Sequence, residues 1–145
     1  MKQVMQWKRD DYYITTDKSK IDVNFVHNNL TQLFWARGIE FEKVKIAVEN
    51  SVCFLLSHQD KKVGFARLIT DFSTFSYIVD VFIIDEYQKK GLGRWLMECV
   101  LQHPAVTDVG HVTLVTSSAS WLYKKLGFKP VIEQDFVWTL EKRQK

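Results

Sequence analysis

The apolar positions of this chain change period several times, and each change marks an element. DYYITT, residues 11–16, alternates like a first strand. Ser19 and Asp22 then form a capping box for a helix starting near residue 20. Val26, Leu30, Leu33 and Phe34 fall at helical spacing as one apolar stripe, and Gly38 ends or interrupts it. A second helix runs over 41–49, with Phe41, Val44 and Val48 on one face and Asn50-Ser51 as its exit. The period then shortens. VCFLL (52–56), VGFARLIT (63–70) and YIVDVFII (77–84) are rich in β-branched and aromatic residues and read as three strands. HQDKK is the turn between the first two and DFSTFS the loop before the third. Gly64 inside a strand marks a bulge or a close approach.

Helical spacing returns at Leu92, Leu96, Cys99 and Val100, and His103-Pro104 is expected to close that helix. HVTLVT (111–116) is a strand, ASWLYKKL (119–126) a short helix with Gly127 at its left-handed cap, and FVWTLEK (136–142) a last strand. A three-strand meander followed by a crossover helix implies an α/β (α+β) fold. The expected sheet is central, mixed and mostly antiparallel, with helices on both sides. At 145 residues the chain has room for a single domain, 1–145.

The linker between the third meander strand and the crossover helix carries the clearest chemistry. Gln88-Lys89-Lys90-Gly91-Leu92-Gly93 puts two glycines and two lysines where a helix begins. Unpaired first-turn amides, the helix dipole and the absence of a Cβ make such a junction a cradle for phosphate or pyrophosphate. A turn that merely contains two glycines is the structural alternative. A P-loop is not matched, and the dinucleotide fingerprint fails at Leu96.

Composition narrows the partners. The net charge of +3 comes without a basic block, so nucleic acid is not indicated. No apolar run approaches a membrane span and the N-terminus lacks a signal core, so a cytoplasmic protein without a membrane partner is expected. Cys53 and Cys99 lie in apolar surroundings without metal-ligand spacing, and His27, His58, His103 and His111 are scattered. No metal site is expected.

Two segments together resemble the GCN5-related N-acetyltransferase (GNAT) superfamily, in particular its small bacterial members. Gln88 to Gly93 is similar to the family's Q/R-x-x-G-x-G/A acetyl-CoA motif, and Asp85-Glu86-Tyr87 to the P-E-Y before it. Ala119 to Phe128 is similar to A-x-x-L-Y-x-K-x-G-F, and Phe65 to Asp71 matches the F-A-R-x-x-T-D of one subgroup. The resemblance covers essentially the whole chain. It implies acetyl-CoA as cofactor and direct transfer to a primary amine in a ternary complex, with a small-molecule amine as partner. It is also compatible with a homodimer.

Carried over residue by residue, the resemblance gives the amides of Gln88, Lys89, Lys90, Gly91, Leu92 and Gly93 to the pyrophosphate. The backbone of Val81, Phe82 and Ile83 goes to pantetheine and to the oxyanion. On periodicity alone Tyr123 reads first as an amphipathic core residue on the Leu122–Leu126 face; the resemblance reverses that, since Tyr123 matches the tyrosine that protonates the leaving thiolate. Thr116 stands where the family often has asparagine, so contact to the cofactor near Thr116 and Ala119 is expected to differ. Asp85 replaces a proline. Asp80, a lone carboxylate in an apolar strand, is either a base, an ammonium-binding group or a structural partner of Arg67. Trp35, Arg67, Thr70, Asp71, Phe72 and Phe75 would line the acceptor pocket, and two acids there favour a cationic amine.

Three classes compete. An acetyltransferase, acting on a small amine or on a peptide or protein amine, releases CoA thiol with some acceptor. A catalytically silent acyl-CoA sensor binds without release. A small anion- or nucleic-acid-binding protein would show salt-sensitive binding to polynucleotide and no affinity for CoA.

Overall fold

The computed structural model describes residues 3–133 and 135–142. A six-stranded sheet is ordered along the chain: β1 Gln6–Arg9, β2 Tyr12–Thr15, β3 Val52–His58, β4 Lys61–Thr70, β5 Phe75–Ile83 and β6 His111–Leu114. The first five strands are antiparallel neighbours, and β6 joins β5 in parallel. The helices are α1 Val23–Leu30, α2 Phe41–Glu49, α3 Leu92–Val100, a single turn α4 Pro104–Thr107 and α5 Ser120–Lys125. The break between two compact units falls after Val115. The whole sheet lies in the first unit and α5 in the second.

Strand β3 is buried on both faces, which is why VCFLL is a continuous apolar run rather than an alternating one. Cys53 and Leu55 join Val26 and Leu30 of α1, Val44 and Val48 of α2, and Phe65 and Phe82 in one core cluster. Phe54 points the other way, where its ring meets those of Trp7 and His103. Helix α3 buries Trp95, Leu96, Met97 and Val100 against the strands.

Several boundaries differ from the sequence reading. Asp22 is itself the N-cap of α1, accepting from the amides of Asn24 and Phe25, while Asp17 caps a 3₁₀ turn at 18–20 with Ser19 as its partner. The helix ends at Leu30, Leu33 still packs against the core cluster, and Phe34 is exposed. Strand β1 went unread because QWKR has one apolar residue and lies at the sheet edge; a two-residue turn, with Asp10 at φ 55°, joins it to β2. His103-Pro104 opens a helix rather than closing one: His103 Nδ1 accepts from the Ala105 amide at 3.0 Å, and proline sits at the first helical position. Residues 136–142 form no strand. Their apolar side chains are exposed and no ladder among the described residues includes them, so β-propensity there has no partner to act on.

Two local devices hold the elements that frame the site. Lys18 Nζ donates to the carbonyls of Val48, at 2.6 Å, and Ser51, so a cation closes the C-terminal end of α2. At Gly64 an added Cβ would lie 2.7 Å from Ile83 Cδ1 and 3.2 Å from the Phe82 carbonyl oxygen, so β4 and β5 approach too closely there for a side chain.

Burial holds the His103 imidazole below its ordinary pKa of 6.5. A lowered value means the neutral ring is the folded form, so its contribution is complete above pH 6.5 and is lost as pH falls through the folded-state value. The urea midpoint should therefore drop between pH 7 and pH 5.5. His103→Asn, which keeps a capping oxygen but cannot titrate, should show a smaller drop over that interval.

Candidate functional site

The register of β4 against β5 slips between two pairs. Phe65 faces Phe82 and Arg67 faces Val79, so the single residue Ala66 lies opposite both Asp80 and Val81. This is a β-bulge. Asp80 takes its left-handed conformation, φ 57°. Aspartate tolerates that region better than most residues, but it still costs energy. Side-chain contacts hold it. Arg67 Nε donates to Asp80 Oδ2 at 2.8 Å, Trp35 Nε1 donates to Oδ1 at 3.4 Å, and Arg67 Nη1 donates to Ser51 Oγ at 3.0 Å. Asp80 is only 8% exposed, so the ion pair is close to fully desolvated.

On its other side β5 pairs with β6 only over Phe75–Ile78, against His111–Leu114. From Val79 to Ile83 the strand keeps β4 as its sole partner among the described residues. Apart from the Ile83 carbonyl, which Gln88 takes, main-chain groups on that side of the strand from Val81 to Ile83 are therefore left to a ligand or to water. Val115, just past β6, is 81% exposed.

Strand β5 then leads into the glycine loop. A 3₁₀ turn at Asp85–Tyr87 precedes Gln88, whose exposed side chain folds back and donates to the Ile83 carbonyl at 2.8 Å. Gln88 thus ties off the strand, leaving its main chain for the cradle. Gly91, at φ 79°, is the N-cap of α3. The first hydrogen bond of α3 runs from the Trp95 amide to the Gly91 carbonyl, so the amides of Leu92, Gly93 and Arg94 precede the ladder. Leu92 is buried and offers only its backbone, while Lys89 and Lys90 are exposed. A Cβ at Gly91 would meet nothing within 4 Å, and one at Gly93 only Ile83 Cγ1 at 3.9 Å. The glycines are not there to relieve crowding within the protein. Gly91 is called for by its left-handed φ of 79°, and the space where its Cβ would lie is open, so the residues fit the pyrophosphate of a coenzyme.

The loop between β4 and β5 is organised by its own acid. Asp71 Oδ1 accepts from the amides of Ser73, Thr74 and Phe75, and Oδ2 from the Thr74 hydroxyl at 2.6 Å. Those bonds hold its carboxyl far below the usual carboxylate range. Thr70 Oγ accepts from the Phe72 amide at 2.9 Å. Phe72 and Phe75 are partly exposed, as is Trp35, which sits in a 3₁₀ turn after α1 rather than on the helix itself.

In the second unit, Thr116 Oγ accepts from the amides of Ala119 and Ser118, at 3.0 and 3.4 Å, which closes the turn leading to the Ala119 N-cap of α5. The end of α5 is a complete Schellman motif. The Phe128 amide donates to the Tyr123 carbonyl at 2.9 Å and the Gly127 amide, at φ 98°, to that of Lys124. The Phe128 ring lies edge-on to the Tyr123 ring, 5.7 Å between centroids. Burial raises the Tyr123 pKa above 10.0. Its hydroxyl has no hydrogen-bond partner among the described residues, yet no buried polar side-chain atom there is left unpaired, so the oxygen reaches the surface.

Two roles escaped the sequence reading. Ser51, taken only as a helix exit, buttresses Arg67. Gly127-Phe128, taken as a cap, also fixes the tyrosine ring. The second was readable, because a glycine followed by an aromatic after a helix is the sequence form of this motif.

Neither cysteine has a catalytic environment. Both are buried, and burial pushes each thiol up to about 11. The thiolate fraction at neutral pH is then roughly a thousandth or less. Incubation of the native protein with iodoacetamide at pH 7.5 should leave both thiols unmodified by intact mass, and urea should expose both to alkylation. Rapid native labelling of either would show a more open environment than the one described.

Comparison with known proteins agrees with this geometry. A family model described as an acetyltransferase (GNAT) domain matches residues 49–130. A protein of Gibberella zeae named a putative acetyltransferase is 29% identical over an alignment covering 89% of this chain and 85% of the relative. A crystal structure of a putative GNAT-family acetyltransferase from Xanthomonas campestris pv. campestris is 32% identical with TM-score 0.87, covering 93% of this chain and 96% of that one. A GNAT-family acetyltransferase from Elizabethkingia anophelis, solved with acetyl-CoA bound, shares the fold at TM-score 0.66 and 16% identity, over 83% of this chain and 78% of that one.

Proposed function

The chain belongs to the GNAT acetyltransferase family and is an acyl-CoA-dependent acetyltransferase, and from that premise we propose that it transfers an acetyl group from acetyl-CoA directly to a small primary amine bound as its ammonium cation. The observation that carries the reading is the parting of β5 from β6 beyond Ile78, in a strand that runs on into the Gly91 helix start. A free main-chain edge followed by an anion cradle suits a long ligand with a polar amide arm and a pyrophosphate. The acetyl-CoA bound in the Elizabethkingia anophelis relative supports the choice of ligand.

In this reading the amides from Gln88 to Gly93 hold the pyrophosphate and Lys89 and Lys90 add charge. The backbone of Val81 to Ile83 hydrogen-bonds the pantetheine arm, and an amide near Phe82 or Ile83 faces the oxyanion. Acetyl-CoA supplies an activated thioester carbonyl. Asp80 holds the ammonium group and takes a proton from it, directly or through water. Tyr123 gives its phenolic proton to the departing sulfur, and its raised pKa keeps it protonated throughout the neutral range. Trp35 borders the acceptor, while Thr70 and Asp71 brace the loop that presents Phe72 and Phe75. Thr116 acts through the start of α5, near Ala119. Residues 1–145 work as one catalytic domain, and two free buried thiols fit a reducing compartment such as the cytoplasm.

A thiol-release assay with acetyl-CoA over a panel of amines tests the activity; tight acetyl-CoA binding without release by any amine would favour a sensor. Tyr123→Phe should lower kcat by about 100-fold with the acetyl-CoA KM little changed. No fall in wild-type kcat traceable to Tyr123 should occur below pH 10, because the neutral phenol is the active form and its pKa is raised.

Gly91→Val tests the cradle separately. Its side chain would enter the space before α3, so the apparent acetyl-CoA constant should rise at least about 10-fold. Unchanged affinity would count against phosphate binding there.

A further inference from the structure

The charge balance around the bulge restricts the acceptor more than an amine alone would. Among the described residues Asp80 is the one carboxylate paired with Arg67, and the pair is neutral overall. A simple ammonium ion at Asp80 would thus meet a carboxylate whose charge the Arg67 guanidinium already balances.

Arg67 is also incompletely used. Nε goes to Asp80 and Nη1 to Ser51, while Nη2 has no partner among the described residues. No buried polar side-chain atom there is left unpaired, so Nη2 reaches the surface although Arg67 is only 15% exposed at its side chain. A guanidinium held by two neighbours, with one nitrogen presented outward beside a carboxylate, matches the two ends of a zwitterion. Charge-assisted pairs to a carboxylate are the strongest use of such a fork.

We propose that the acceptor is an amine carrying a carboxylate close to its amino group, an amino-acid-like zwitterion, with its ammonium on Asp80 and its carboxylate on Arg67 Nη2. This rests on the acetyl-transfer reading above and sharpens its acceptor. The reaction balances. The ammonium loses one proton through Asp80, the neutral nitrogen forms the C–N bond as the C–S bond breaks, and the sulfur leaves as the thiol with the Tyr123 proton. The second nitrogen proton then restores Tyr123. The substrate's carboxylate is spectator and anchor.

The test is a set of matched triplets: an L-amino acid, its carboxamide and its decarboxylated amine, over several neutral side chains, each assayed for thiol release at saturating acetyl-CoA. In any series that responds, kcat/KM should be about 10-fold or more higher for the acid. Arg67→Gln also removes the brace of Asp80 and should slow every acceptor, so its readout is the ratio of kcat/KM for the acid to that for the decarboxylated amine, which should fall about 10-fold. Equal or better use of the decarboxylated amine overturns the proposal, and needs no variant. So does a loss in Arg67→Gln that is the same for acid, amide and amine, since Arg67 would then be only a brace for Asp80. Acetylation of amines without preference for the acid sinks this inference alone. Acetyl-CoA binding without thiol release by an amine of any kind sinks the transferase reading and this inference with it.

Discussion

The bulge at Asp80 is the constraint on which the rest of the site depends. The two residues of β5 set against one of β4 are accommodated here by a left-handed Asp80, and the ion pair to Arg67 stabilises that conformation. Without the slip, Ile78, Asp80 and Phe82 would share one face by simple alternation. With it, Phe82 joins Phe65 beneath α1 and α2, and the Asp80 carboxylate turns toward Arg67. Bulges also increase local twist, and this one begins where β5 outruns its ladder with β6. A buried pair of this kind contributes little net stability against its desolvation. Its effect here is conformational: it selects which faces the strand shows.

Donor and acceptor are read by different kinds of atoms. The features suited to acetyl-CoA are main-chain groups, glycines and a helix start, none of which depends on a particular functional side chain. Those suited to the acceptor are side chains, namely Asp80, Arg67, Trp35 and the loop braced by Asp71. The first kind leaves a short recognisable string such as QKKGLG. The second is scattered over the 3₁₀ turn after α1, β4 and β5. It follows that the donor was nameable from a motif and the acceptor had to be approached through charge.

Much of the fold was legible for identifiable reasons. Helix α2 was found with its observed ends because Phe41, Val44 and Val48 are spaced at one period between clear exits. The three central strands were found because they are rich in β-branched and aromatic residues, and β3, buried on both faces, is also continuously apolar. What failed depended on partners. The sequence 136–142 has strand composition but no ladder, and QWKR lacks that composition yet pairs with β2. His103-Pro104 can end one helix or begin the next, and only the capping bond to Ala105 decides. At the site, Asp80 was singled out as a costly buried carboxylate with Arg67 as one possible partner. Its left-handed backbone was not foreseen, because the sequence holds no glycine there to signal it.

The Schellman ring at the end of α5 has a consequence for how this protein tolerates change. The carbonyl of Tyr123 is bound by an amide five residues later, and its ring rests against that same residue's ring. The phenol is thereby aimed by chain geometry that closes only around a left-handed residue at 127. Exchange of Gly127 for any β-carbon-bearing residue would be felt first as a misdirected phenol, at a position remote in chemistry from proton transfer. A survey that scored positions by lost function would thus rank a side-chain-less residue beside Tyr123 itself.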